Sequence, residues 1–210
     1  MHGVAYDIVF NRRLWKDIRL RTDFSYYIMK DYTFVSKWSG APIWGRDVTS
    51  VDEVHKKGVE VDITGHIIAP LGFYLSFSAY DYDNKDKENI YADEEFGNRA
   101  KYRVNAGLDY NLFKNTKILL DYKYQDEQVT TKHEGDEDDP PEFWHSYKIK
   151  VDAYHVFDLA VEQKLFEKWG FARNAVLKFY INNLLDEEYQ EDDGYPATDR
   201  TCGVYAKLEF

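Results

Sequence analysis

The sequence predicts an all-β chain, an antiparallel up-and-down transmembrane β-barrel portion of about nine strands. Three observations predict it. Apolar and polar residues alternate with a period of two along most of the chain, as they do on strands with one greasy and one wet face. The connections between these runs alternate between short and long. Finally, with 44% hydrophobic residues and a mean hydropathy of −0.63, no segment approaches the roughly 18–20 continuous apolar residues of a membrane helix. Alternation cancels in any window average, so low hydropathy does not argue against a barrel.

Runs with strand periodicity fall at about 3–10, 18–35, 56–68, 72–83, 102–112, 117–130, 146–166, 174–185 and 201–210. The fifth, YRVNAGLDYNLF, is the cleanest: Tyr102, Val104, Ala106, Leu108, Tyr110 and Leu112 share one face, and Arg103, Asn105, Gly107, Asp109 and Asn111 the other. Tyr102 and Tyr110 bracket its apolar face, and eight residues at about 3.3 Å each with a tilt of about 45° rise about 19 Å. That approaches an apolar band of roughly 25 Å flanked by aromatic girdles. NRRLWKD, APLG and FKNTK are tight links and EKWGFARN is intermediate, whereas about 36–55, 84–100, 131–145 and 186–200 are long. Short turns on one side and long extracellular loops on the other are the pattern of outer-membrane barrels. At 210 residues the chain reads as one barrel domain.

The net charge of −11 is concentrated. Segments 83–100, 131–145 and 182–200 hold 19 of the 38 acids, and the framework between them is nearly neutral. No basic stripe is present for phosphate contacts, so nucleic acid is excluded as a partner. Cys202 is the single cysteine and cannot form an internal disulfide. The opening MHGVAYDIVF lacks the features of a secretory signal. Nine antiparallel strands cannot close on themselves, because the first and last would run parallel, and an open edge in lipid leaves backbone groups unpaired. The expectation is therefore a piece of a longer chain, with Met1 internal.

The last 35 residues, VLKFYINNLLDEEYQEDDGYPATDRTCGVYAKLEF, carry a denser pattern. Asn183, Leu184, Asp186, Tyr189, Gly194, Tyr195, Pro196, Arg200, Gly203 and Phe210 together resemble the C-terminal signature of TonB-dependent outer-membrane receptors. Upstream, HKKGVEVDITGHI and GFYLSFSAYDYDN resemble strands of the same family. What the resemblance implies is a 22-stranded barrel in the outer membrane of a Gram-negative bacterium, of which this chain supplies the last nine strands. It also implies active uptake of a scarce ligand, a metal chelate such as a siderophore, or cobalamin. Lipid and the ligand would be this chain's own partners. The plug domain and the TonB complex would be engaged only through the missing N-terminal part.

Candidate ligand contacts are the loop aromatics Trp38, Trp44, Tyr91, Phe96, Phe143, Trp144 and Tyr195, with Arg46 beside them, because exposed loop aromatics offer large contact area. The competing reading places some of them in the girdle at the lipid boundary. The acidic run HEGDEDDPPEFWH has the oxygen donors of a calcium site but not the spaced register of an EF-hand, so no metal is assigned. No cofactor is expected, and no nucleophile or metal motif points to an enzyme.

Arg19, Arg21, Asp23, Glu60, Asp62, Asp109, Asp121, Lys123, Lys148, Lys150, Asp158, Glu162, Lys178 and Lys207 would line a polar interior. His155 falls by parity on the apolar face, which predicts either a bulge that resets the phase or a place at the lipid boundary. Two further readings are a non-transport barrel, such as an adhesin or structural protein, and a soluble all-β binding domain whose apolar faces pack in two layers.

Overall fold

The computed structural model describes residues 2–38, 46–85, 99–134, 145–167, 171 and 173–209. Among them run β1 (His2–Trp15), β2 (Ile18–Trp38), β3 (Arg46–Ile68), β4 (Leu71–Asn84), β5 (Tyr102–Phe113), β6 (Thr116–Gln125), β7 (Gln128–Glu134) and β8 (His145–Val151). They are followed by β9 (Tyr154–Phe166), β10 (Asn174–Asn182), β11 (Gln190–Asp192), β12 (Tyr195–Pro196) and β13 (Thr201–Glu209). Nine of them form one sheet in the order β1-β2-β3-β4-β5-β6-β9-β10-β13, and β7-β8 and β11-β12 are separate two-stranded ribbons. Every pairing is antiparallel. The sheet stays open, with β1 and β13 at its edges.

Register carries the two faces around the wall, with single-residue bulges only toward strand ends, at Leu14, Ser36, Ile67, Leu112 and Leu165. On the apolar face Leu20, Ile63, Leu75, Ala106, Tyr122 and Phe157 are successive cross-strand partners. On the polar face the same is true of Arg21, Asp62, Ser76, Asn105 and Lys123. A one-residue slip in any ladder would exchange the faces. Among the described residues no second layer covers the apolar side: Ile8 is 58% exposed, Leu108 42% and Phe179 48%. A soluble two-layer sandwich buries those residues, so that reading is overturned.

Three hairpins at the short-turn end share one construction. Lys16–Asp17, Pro70 with Ala69, and Lys114–Asn115 form two-residue turns, each preceded by one extra residue in the strand: Leu14, Ile67 and Leu112. A bulge of this kind increases twist and lets the strand meet a tight turn. It also leaves an apolar residue at the rim beside Trp15, Ile68 and Phe113, all of them exposed. At the opposite end the apolar face turns charged above Tyr26, where Lys57, His55 and Glu53 follow in β3. There the Tyr26 hydroxyl and His55 Nδ1 are 2.6 Å apart.

Glycine positions tighten the polar face. Gly58, Gly107 and Gly203 lie directly across from Tyr80, Tyr74 and Tyr180. A Cβ at any of the three would overlap the facing ring, so each tyrosine lies flat over a bare backbone, as in aromatic rescue of sheet glycines. The hydroxyls are then anchored: Tyr74 donates to Asp121 at 2.7 Å and Tyr80 to Glu60.

Several expected boundaries differ. The stretch 36–55 was expected as loop, yet strand continues to Trp38 and resumes at Arg46, so the β2-β3 ladder runs far beyond the charged rim. The runs 117–130 and 146–166 are each broken, at Asp126–Glu127 and Asp152–Ala153, which separates the β7-β8 ribbon from the wall. Acidic residues are poor strand formers, and the four residues 126–127 and 152–153 without ladder partners end the pairing of the wall and begin that of the ribbon. Lys148 and Lys150, expected on the polar wall, belong to that ribbon instead. His155 is explained without a bulge: the β6-β9 ladder has no register shift, and His155 pairs with Tyr124 near the end of β9 where the wall stops.

Candidate functional site

After β10 the chain does not turn directly into β13. Asn183 and Asp186 adopt left-handed φ of 53° and 60°, a conformation Asn and Asp tolerate better than other L-residues. This bends the segment back onto the polar face of the wall. Asn183 is 3% exposed and its amide bridges both polar groups of one residue. Nδ2 donates to the Glu187 carbonyl at 2.9 Å, and Oδ1 accepts from the Glu187 N–H at 2.8 Å. Its own N–H donates to Asp158 Oδ1 at 2.7 Å, and the Leu184 N–H donates to the Phe157 carbonyl at 2.7 Å. The base of the loop is therefore tied to β9 by main chain and side chain together.

A second clamp closes the loop on itself. The Arg200 N–H donates to Asp186 Oδ1 at 2.8 Å and its Nη2 to Oδ2 at 3.3 Å. Beyond that clamp, β11 and β12 form a small ribbon whose tip is Gly194, with a φ of 77° that only glycine adopts freely.

The ribbon rests on the wall through one aromatic stack and one ion pair. Tyr154, 2% exposed, stacks on Tyr189 with ring centroids 4.3 Å apart. Such a pair contributes about 0.5–1.5 kcal/mol beyond its burial. Lys123 Nζ donates to Glu191 Oε1 at 2.6 Å, and Gln128 Nε2 donates to the Glu191 carbonyl at 2.6 Å. The hydrogen bond and charge of Lys123 hold the Glu191 carboxyl below its usual range, while burial pushes the Tyr189 phenol up. Tyr154 shares its face with Gln125, and Lys123 with Val156. The loop thus folds over the polar side of the wall and leaves the apolar side bare.

On the same side of the wall, along β6, β9, β10 and β13, lies a groove of about 810 Å³ bordered by Asp121, Asp158, Glu162, Lys178, Tyr180 and Lys207. Lys178 Nζ and Glu162 Oε1 are 3.3 Å apart, so one pair of these charges is matched within the groove. No group of three or more His, Cys, Asp or Glu side chains is placed to hold a metal among the described residues.

The sequence-predicted contacts distribute unevenly. Trp38 and Arg46 are cross-strand partners at the last rung of the β2-β3 ladder. Tyr195 is 72% exposed on β12, opposite Asp192. Trp44, Tyr91, Phe96, Phe143 and Trp144 lie outside the described residues, as do Phe210 and the interior of the acidic loop. The sequence did not reveal Tyr154 as the platform for the loop. Its only signal was an aromatic on the polar parity of β9, next to a run of charged neighbours.

An open single-layer wall with one apolar face, one polar face and a loop folded over the latter defines a β-barrel portion of a membrane protein. The model of a family described as TonB dependent receptor-like, beta-barrel, matches residues 2–184, and the chain belongs to that family. The match stops at Leu184, before most of the C-terminal signature.

Solved structures extend the likeness over nearly the whole chain. The Ferric-Catecholate import receptor Fiu from E. coli K12 is 13% identical with a TM-score of 0.69, covering 98% of this chain and 27% of that one. The ferripyoverdine receptor of the outer membrane of Pseudomonas aeruginosa is 12% identical with a TM-score of 0.73, covering 99% and 27%. The siderophore receptor PiuA from Acinetobacter baumannii is 16% identical with a TM-score of 0.68, covering 97% and 28%. The chain therefore spans little more than a quarter of these structures, and at such identity the likeness is one of fold. No curated protein sequence matches the chain.

Proposed function

We propose that the chain forms part of the wall and loops of a receptor in a Gram-negative outer membrane that takes up a scarce metal chelate, or cobalamin, in a TonB-dependent manner. The observation that carries the reading is the inward fold of residues 183–200 over the polar face, within a wall whose apolar face has no protein cover. Such a wall fits lipid on one side and a filled, wet lumen on the other. Family membership supports energised import, and the structural neighbours are named as import and siderophore receptors. In this reading the long-connection end is extracellular, and the ends of β2 and β3 with Trp38 and Arg46, and the exposed Tyr195, contribute to ligand contact. Coupling to TonB and the plug belong to the rest of the receptor. No catalytic role is proposed for this wall.

The test is uptake by the whole receptor, expressed in an iron-starved Gram-negative host that lacks receptors of its own. Labelled ferric chelates and cobalamin are supplied with TonB present and with TonB deleted. Accumulation of one of them only when TonB is present is expected. Accumulation unchanged by deletion of TonB would overturn the reading.

A further inference from the structure

At the short-turn end of the polar face, the β1-β2 ladder sets Arg13 directly opposite Arg19, and Arg21 opposite Asn11 two positions further along. Like charges directly opposite each other are destabilising. All three arginines border a hollow of about 420 Å³ that Asp62 and Thr64 also line. The acids around it have partners, and Asp62 faces Arg21 directly across the β2-β3 ladder. Asp23 Oδ2 lies 3.2 Å from Arg21 Nη2, Asp62 Oδ1 accepts the Ser76 hydroxyl at 2.6 Å, and Asp17 Oδ2 is 2.5 Å from His66 Nδ1. Arg13 and Arg19 make no ion pair or side-chain hydrogen bond with another described residue. Lys16, in the turn between the two strands, adds a further positive charge. Arg12, opposite Leu20, falls by parity on the apolar face, and both residues also border the hollow from the strand edge.

We propose that Arg13 and Arg19, backed by Arg21, form an oxyanion-binding site on the lumen wall at the short-turn end. Guanidinium forks match the paired oxygens of a carboxylate or phosphate, and an oxyanion between them turns a repulsive pair into an attractive triad. That chemistry has two sources: a carboxylate on polypeptide packed against the wall, or a free small anion in the lumen. The inference rests on the barrel reading for which side is the lumen, but not on uptake.

The test uses the whole receptor in detergent at fixed ionic strength, since salt screens exposed charges. Urea midpoints are measured for the native protein, Arg13→Gln, Arg19→Gln and the double variant, with and without added inorganic phosphate or citrate. A site filled by polypeptide carboxylate gives a lower midpoint in the double variant whether or not phosphate or citrate is added. A site for free anion gives a native midpoint that rises with phosphate or citrate and a double variant that does not respond. A double variant that is unchanged or more stable, with no response of the native protein to either anion, overturns the proposal. Such a result shows only relief of repulsion. If the double variant does not assemble, the single variants read the same sign. Failure of TonB-dependent uptake leaves this readout intact, so the two readings fail separately.

Discussion

Val9 on β1 and Val156 on β9 both project from the polar face of the same sheet, yet Val9 is 45% exposed and Val156 7%. All of β1 is exposed along its length, whereas β9 buries Tyr154, Val156 and Ala160 on that face. Parity is the same in both strands, so alternation alone does not decide burial. Two things differ: β9 has neighbours on both sides, and the loop of residues 183–200 lies over its end. The comparison teaches that a wall of this kind gets its buried polar-side residues from whatever folds onto it. Among the described residues, β1 is the part of the polar face over which nothing folds.

Substitutions can break this contrast, beginning with the largest effect. Tyr154→Ala removes a fully buried ring from beneath the loop and should cost about 3–5 kcal/mol, read as a lower urea midpoint in detergent. Asn183→Ala leaves both Glu187 backbone groups without their partner and places Ala at positive φ. About 3 kcal/mol is expected, together with faster proteolysis between residues 184 and 200. Gly107→Ala drives a methyl group into the Tyr74 ring and strains its bond to Asp121, at about 1–3 kcal/mol.

The smaller effects sharpen the comparison. Val9→Ala, at the uncovered counterpart of Val156, should stay within about 0.5 kcal/mol, and a cost equal to that of Val156→Ala would mean β1 is covered after all. Glu191→Gln should cost no more than about 0.5 kcal/mol, because the carboxylate is largely exposed and screened. Its pH signature is more telling than its size. A depressed carboxylate contributes in full above its ordinary pKa, and the contribution is lost as pH falls through the lower folded value. The native and Glu191→Gln midpoints should therefore converge in acid and separate as pH rises toward neutrality.

Much of the wall was legible in the sequence because a period of two is a local property. The parity of 102–112 assigns each side chain of β5 to a face before any partner is known, and register then extends the assignment to β4 and β6. The turns were legible for a similar reason, since a two-residue link is visible as a short one. The break at Asp152–Ala153 was hidden, because apolar alternation continues through Ile149, Val151 and Ala153 and only ladder pairing shows where the sheet ends, whereas at Asp126–Glu127 the four polar residues 125–128 interrupt the alternation. The loop over β9 was hidden more deeply. Asn183, Asp186, Tyr189 and Arg200 stood out as a pattern, but that Tyr189 would find Tyr154, 35 positions away, depends on the path of the chain in space. Of the candidate ligand contacts, Tyr195 is exposed, Trp38 and Arg46 pair at the last rung of β2-β3, and the other five lie outside the described residues.

The long β2-β3 ladder carries a constraint on how this molecule can be resized. Its strands hold 21 and 23 residues, about twice the 9–11 that cross a bilayer, so nearly half of the ladder stands clear of the hydrocarbon as a paired stalk. Apart from one bulge, at Ser36, a stalk of rungs grows in paired units. One residue inserted opposite another in both strands keeps the ladder paired but turns everything distal to face the other way, whereas two in each strand preserve every facing and raise the tip by about 7 Å along the strands. Lineages or engineers that adjust the reach of this arm should therefore be found doing so in even steps.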